Sequence, residues 1–184
     1  MEQHHQLGSS GSQFLVNPEP YRRLVGRLVY LAVTRPDLSY PVHILSQFMS
    51  APRLENWNTA LRTVRYLKGT PGQGILLSSR SDMKLSGWCD SDWANCPETR
   101  RSLTGWFVFL GSSPVSWKTK KQPTNPVFHE RTGHIEPDCH FVRDAIQAGL
   151  IEPSYVSTTV QLADVLTKAL GVSQFVFWLA SWAF

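Results

Sequence analysis

The 184 residues, 42% of them hydrophobic with a mean hydropathy of -0.20, are enough to bury a sizeable core and exclude a disordered protein. The 18 Lys and Arg against 14 Asp and Glu give a net charge of +4 and a pI near 9.1, a mild lean toward polyanionic partners. Cys89, Cys96 and Cys139 form no CxxC pair, which argues against a disulfide framework or a zinc ribbon and suits a reducing compartment. The start, MEQHHQLGSSGS, lacks the charged and apolar regions of a signal peptide, so the expectation is an intracellular protein, cytoplasmic or nuclear and not secreted.

Residues 1–16 read as a flexible lead. The stretch NPEPYRRLVGRLVYLAVTRPD then offers Asn17 as a cap, Pro18 at the first helical position, and Leu24, Val25, Leu28, Val29, Leu31 and Ala32 at helical spacing until Pro36 breaks the run. A second helix is expected over 37–49 and a third over 53–68, with Trp57, Leu61, Val64 and Leu67 along one face and KGTPGQG as its stop. Residues 17–78 therefore form one helical unit.

From residue 82 the period changes to two. MKLSGWCDSDW reads as a strand with Trp88, Asp90 and Asp92 on one face and Leu85, Gly87 and Cys89 on the other. SLTGWFVFL is a second strand, GSS a turn and PVSWK a third strand. Run antiparallel, these strands gather Asp90, Asp92, Arg100, Arg101, Lys118, Lys120 and Lys121 at one end of the sheet. Carboxylates able to hold a divalent cation thus lie beside cations able to grip phosphates, the layout that metal-dependent phosphodiester chemistry requires. The plainer alternative is a solvated sheet edge with neutralising charges.

The last third returns to helices. PDCHFVRDAIQAGL places Phe141, Val142, Ala145 and Ile146 on one face before Gly149, and PSYVS is a short strand candidate. TTVQLADVLTKAL opens with Thr158 and Gln161 as a capping box and carries a stripe of Leu162, Val165, Leu166 and Ala169. Off that stripe, Asp164 and Lys168 read as an exposed i,i+4 ion pair. The spacing of His129, His134, Asp138, Cys139 and His140 matches no zinc finger. The tail at 173–184, with Phe175, Phe177, Trp178 and Trp182, is too short to span a bilayer and reads as a sticky, exposed segment, so no membrane partner is expected.

Several long strings, in order, carry a resemblance. YRRLVGRLVYLAVTRPDLSYPVHILSQFMSAPR, ALRTVRYLKGTPGQGI, GWCDSDWANCPETRRSLTGWFVFLGSSPVSWKTKKQPT, NPVFHERTGHIEPDCHFVRDAIQAGLI and QLADVLTKALG closely resemble the C-terminal end of copia-type retrotransposon Pol polyproteins over roughly residues 14–172. The first part is similar to the end of the reverse transcriptase region, and residues 82–172 are similar to the RNase H domain. In that family four carboxylates hold two Mg²⁺ ions that activate water and stabilise the phosphate as the RNA strand of a hybrid is cut. The resemblance implies that Asp90 is the first of these carboxylates and Asp164 the last, with Asp92 in the same motif as a lesser candidate.

The resemblance also breaks. After KKQPT the family continues into a helix with the catalytic glutamate and then a strand with the second aspartate, whereas here KKQPT runs straight into NPVFHERTGH. A gap at 124/125 removes two of the four carboxylates, and the spacing of Glu130 and Glu136 does not support their serving as replacements. It is also expected to bare apolar surface near Trp106 and Trp117.

The expectation is therefore an α+β chain, an N-terminal helical unit followed by a reduced RNase H-like antiparallel sheet with C-terminal helices. It reads as an inactive remnant of a hybrid-cleaving enzyme that binds no Mg²⁺ stably. The alternatives are a non-catalytic module that binds RNA–DNA hybrid or duplex through Arg100, Arg101, Lys118, Lys120 and Lys121, or a partner of an intact Pol protein.

Overall fold

Proline fixes φ and lacks an amide hydrogen, so it opens helices and ends them. Both roles are visible in the computed structural model, which describes residues 7, 11–92, 101–122 and 135–182. Helix α1 spans Glu19–Leu31 behind Pro18, and Pro36 starts a 3₁₀ turn, Pro36–Leu38, that leads into α2, Ser39–Ser46. Asn17 stands one residue outside the cap position, where its Oδ1 accepts a hydrogen bond from Glu19 N at 3.1 Å. Helix α3, Leu54–Gly69, begins where Asn56 Oδ1 accepts from Arg53 N at 2.7 Å.

These helices enclose a core of Tyr21, Val25, Leu28, Leu38, Val42, Leu45 and Ala60. The α1 members recur at the spacing of one helical face. Tyr21 is fully buried, and its hydroxyl donates to Leu45 O at 2.7 Å, so its one polar side-chain atom keeps a partner. Helix α3 buries Asn56, Ala60 and Thr63, a narrower face than the expected line of Trp57, Leu61, Val64 and Leu67. Trp57 and Leu67 pack against the core only in part. The lead is partly ordered: Leu15 N donates to Pro52 O at 2.9 Å and Leu54 N to Gln13 O at 3.0 Å, and Leu7 is buried.

Under the same unit lies a buried ion pair. The Arg35 guanidinium donates from Nε and Nη2 to the Asp37 carboxylate at 2.9 and 2.7 Å, and from Nη1 and Nη2 to Thr70 O and Oγ1. Tyr66 OH donates to Asp37 Oδ2 at 2.8 Å. Burial, reinforced by Asp37, pushes the Tyr66 hydroxyl up to about 12, so the phenol remains a donor throughout the neutral range.

The sheet contains β1, Leu85–Asp92, β2, Leu103–Leu110, and β3, Ser113–Lys121, antiparallel in that order. Gly111, at φ +58°, makes the reversal between β2 and β3, a conformation that costs glycine little. Along β2 the pleat alternates cleanly: Leu103, Gly105, Phe107 and Phe109 face inward and are buried. Register carries Asp90 across to Gly105 and Thr119, and Cys89 across to Trp106 and Lys118. Asp90 and Lys118 thus lie at the same end of the sheet, as expected, but on opposite faces of it.

Over the inner face pack α5, Asp164–Thr167, and α6, Val172–Trp182, closing a second core of Phe107, Phe109, Leu162, Val165, Leu166 and Trp178. Three expectations are corrected here. The segment at 173–184 is no exposed tail, because Trp178 is only 1% exposed and Phe175 packs against the same core. The side chain of Trp182 lies outside the described residues. Residues 153–157 form no strand. The helix expected from Thr158 begins only at Asp164, and just before it Gln161 accepts at Oε1 from Ala163 N at 3.1 Å and donates from Nε2 to Cys89 O at 3.2 Å.

Trp117 is half-buried, lies 5.8 Å from the Phe107 ring and donates from Nε1 to Ala32 O at 3.1 Å. The helical unit and α5 therefore cover part of the surface that the gap was expected to bare. Trp106 is half-buried on the outer face. Helix α4, Ile135–Gln147, ends with Gly149 at φ +70° and leaves Phe141, Val142 and Ile146 exposed. No helix among the described residues is long and apolar enough to cross a membrane.

Candidate functional site

A missing side chain brings the site together. A Cβ on Gly105 would stand 2.6 Å from Leu166 Cβ and 2.9 Å from Thr167 Cγ2, so only glycine lets α5 lie directly on β2. Thr119 Oγ1 donates to Leu166 O at 2.9 Å, fastening α5 to β3 as well. With α5 pressed onto the sheet, Asp164 comes down beside Asp90 of β1. Gly105→Ala is expected to lower stability by about 1–3 kcal/mol through overpacking, measured by urea unfolding. The same change at Gly87, where an added Cβ meets nothing within 4 Å, should leave stability close to that of the parent chain.

The two aspartates share one cation. Lys168 Nζ lies 2.9 Å from Asp164 Oδ1 and 3.4 Å from Asp90 Oδ2. The contact with Asp164 Oδ1 is an ion pair without hydrogen-bond alignment. Asp90 Oδ2 also accepts from Thr167 Oγ1, and Asp164 Oδ2 from Gln174 Nε2 at 3.3 Å. The Asp164 side chain is 2% exposed, which corrects the reading of Asp164 and Lys168 as an exposed surface pair.

Burial pushes the Asp164 carboxyl above the usual carboxylate range, with the Asp90 charge adding to the shift and Lys168 opposing it. Burial also works against the ammonium of Lys168. The Asp164 and Asp90 carboxylates outweigh it and hold that group above the ordinary lysine value.

The remaining candidates divide by face and by end. Asp92 shares the face of Asp90, but its Oδ1 accepts from Leu103 N, tying β1 to β2. Lys118 and Lys120 are exposed on the outer face, opposite the aspartates, and Arg101 is exposed just before β2. Lys121 lies on the aspartate face and donates to Gln47 Oε1 at 3.2 Å.

Arg100, the 124/125 junction, His129, Glu130 and His134 lie outside the described residues, as do the side chains of Glu136, Asp138, Cys139 and His140. Among the described residues no group of three or more His, Cys, Asp or Glu side chains is placed to hold a metal ion. Mg²⁺ requires near-octahedral oxygen ligands at about 2.0–2.1 Å. Here the ammonium stands between the two carboxylates, whose oxygens accept from Thr167 and Gln174. The described residues do not fit a divalent ion.

Sequence reasoning did not single out Lys168 as a bridge, nor Gly105, Thr167 and Gln174 as its supports. The i,i+4 spacing of Asp164 and Lys168 was the available signal for the bridge.

No family model matches the chain, and no solved structure does. Several curated relatives match it over 85% of its length or more. The retrovirus-related Pol polyproteins from transposons RE2 and RE1 of Arabidopsis thaliana are each 36% identical, over 85% and 88% of this chain. That from transposon TNT 1-94 of Nicotiana tabacum is 26% identical over 85%. The chain belongs to the retrovirus-related Pol polyproteins of transposons. It spans only 14% of the length of RE2 and of RE1. The match to RE2 runs over 209 positions, more than the 184 residues of this chain, so this Pol relative carries residues inside the matched span that the chain lacks.

Proposed function

We propose that the chain is a remnant of the reverse transcriptase and RNase H part of Pol, whose RNase H-like unit retains two of the family's four carboxylates and no longer cuts. The observation that supports this most is the convergence of Asp90 and Asp164, from a strand and a short helix far apart in sequence, on one point filled by the Lys168 ammonium. The absence of the family's helix and strand after Thr124 leaves the pair without its other ligands, and cleavage through two metal ions fails without them.

Incubation with an RNA–DNA hybrid and Mg²⁺ or Mn²⁺ is expected to give no cleavage. Inserting the family's missing segment at 124/125 should restore cleavage, and Asp90→Asn should abolish it again. Robust cutting by the chain as written would overturn the reading.

A second reading rests on Arg101, Lys118 and Lys120, exposed near one end of the sheet and away from the carboxylates. This cationic surface would bind duplex or hybrid nucleic acid weakly, with little sequence preference and a steep loss with salt. Titration of labelled hybrid at two salt concentrations, repeated with these three residues changed to Ala, tests it. Affinity unmoved by either change rejects it.

A further inference from the structure

We propose that Lys168 is the resident cation of the Asp90–Asp164 pair, an ammonium standing where a divalent ion would otherwise be drawn, so that the C-terminal unit folds without metal. The inference rests on the proposed reading only in treating Asp90 and Asp164 as the family's carboxylates. Its readout is metal binding and stability, so it can fail while the absence of cleavage holds.

Two carboxylates brought together in a partly buried site repel each other and need a compensating charge. A lysine one helical turn after Asp164 supplies that charge from within the chain. Its ammonium lies 2.9 and 3.4 Å from one oxygen of each aspartate, close enough to attract both and to offset part of their combined charge. Thr167 and Gln174 donate to the same two carboxylates. The arrangement joins β1 to α5 through one monovalent charge that stands beside the carboxylate oxygens a divalent ion would need.

A solvent ion could still reach Asp90, whose side chain is 19% exposed. Lys168 lines a cleft of about 1050 Å³ between α3 and the α5–α6 segment, and its side chain is 36% exposed. What keeps a divalent ion out is then charge and occupancy rather than access. Removing the ammonium while keeping its aliphatic stem should leave the two carboxylates without their compensating charge and open to a metal.

The test uses the full chain and Lys168→Met. Thermal unfolding is followed with and without Mn²⁺, and bound Mn²⁺ is counted by electron paramagnetic resonance. The parent chain should bind no Mn²⁺ and show no shift in midpoint. Lys168→Met should unfold at a lower temperature, recover part of the loss on adding Mn²⁺, and hold an ion that is lost again on adding Asp90→Asn. Lys168→Arg, which keeps the charge, should behave like the parent.

Mn²⁺ binding by the parent chain would overturn the proposal, as would a Lys168→Met chain as stable as the parent or one that Mn²⁺ does not restore. If Lys168→Met does not fold, adding Asp164→Asn removes the stranded charge and must recover folding. Continued unfolding of that double variant also overturns it.

Discussion

Asp37→Ala is expected to lower the free energy of unfolding by about 3–5 kcal/mol, a large share of the 5–15 kcal/mol typical of a folded domain. Asp37 is fully buried and accepts from Arg35 Nε, Arg35 Nη2 and Tyr66 OH. Truncating it leaves a guanidinium only 7% exposed, with Thr70 as its remaining polar contact in this network. The loss should come mainly from this stranded charge, because a well-made buried pair contributes little net stability while half of one is costly. Urea unfolding of Asp37→Ala, Arg35→Met and the double variant measures this. The double variant should be more stable than the sum of the two single losses implies.

A second signal accompanies the first. Burial comes first among the causes that hold the Tyr66 hydroxyl up at about 12, and the Asp37 charge follows. Removing that charge should let the phenol ionise at lower pH, visible in the ultraviolet titration of tyrosine. A loss below about 1 kcal/mol with an unchanged titration would reduce the pair to the rank of a surface salt bridge.

Trp178→Ala should cost about 3–5 kcal/mol. The indole is 1% exposed, its ring centre lies 5.9 Å from that of Phe175 and 6.1 Å from that of Phe107, and its Nε1 donates to Leu162 O at 2.8 Å. Truncation would open a cavity between α6 and the sheet and strand the Leu162 carbonyl together. Phe177→Ala, one residue away and 45% exposed, should change stability far less. Equal effects at the two positions, read by thermal unfolding, would show that α6 is an appendage and not a wall of the core.

The contrast between these neighbours shows what the sequence could reveal. Apolar density at 174–184 is plain to read, but five aromatics in eleven residues of mixed spacing do not say which one points inward, and only the place of Phe107 decides it. The strands were legible because alternation has a period of two and glycine marks the turn, so the register carrying Asp90 to the same end as Lys118 followed from short connections. The division of faces was legible too, yet a grouping by sheet end merged Lys118 and Lys120 with carboxylates on the other side of the pleat.

The helix at 164 was misjudged because an apolar stripe from Leu162 onward does not show that Gly105 draws the backbone tight against β2. The face of α3 was misjudged for the converse reason: Asn56 and Thr63 are polar, and close helix packing buried them in preference to larger apolar neighbours. Asp90 and Asp164 were reached through family resemblance, since no local pattern links residues so far apart.

The two cores also differ in when they can close during synthesis. Every buried member of the first lies between Tyr21 and Ala60, so that core can assemble while the rest of the chain is still being made. The second draws on Phe107, Phe109, Leu162, Val165 and Trp178. Its strands therefore leave the ribosome with much of their apolar inner face uncovered until α5 and α6 are translated. In that interval the nascent sheet resembles an open hairpin, the form in which β-rich segments pair with other chains, and a chaperone would find its substrate there and not in the helices that precede it.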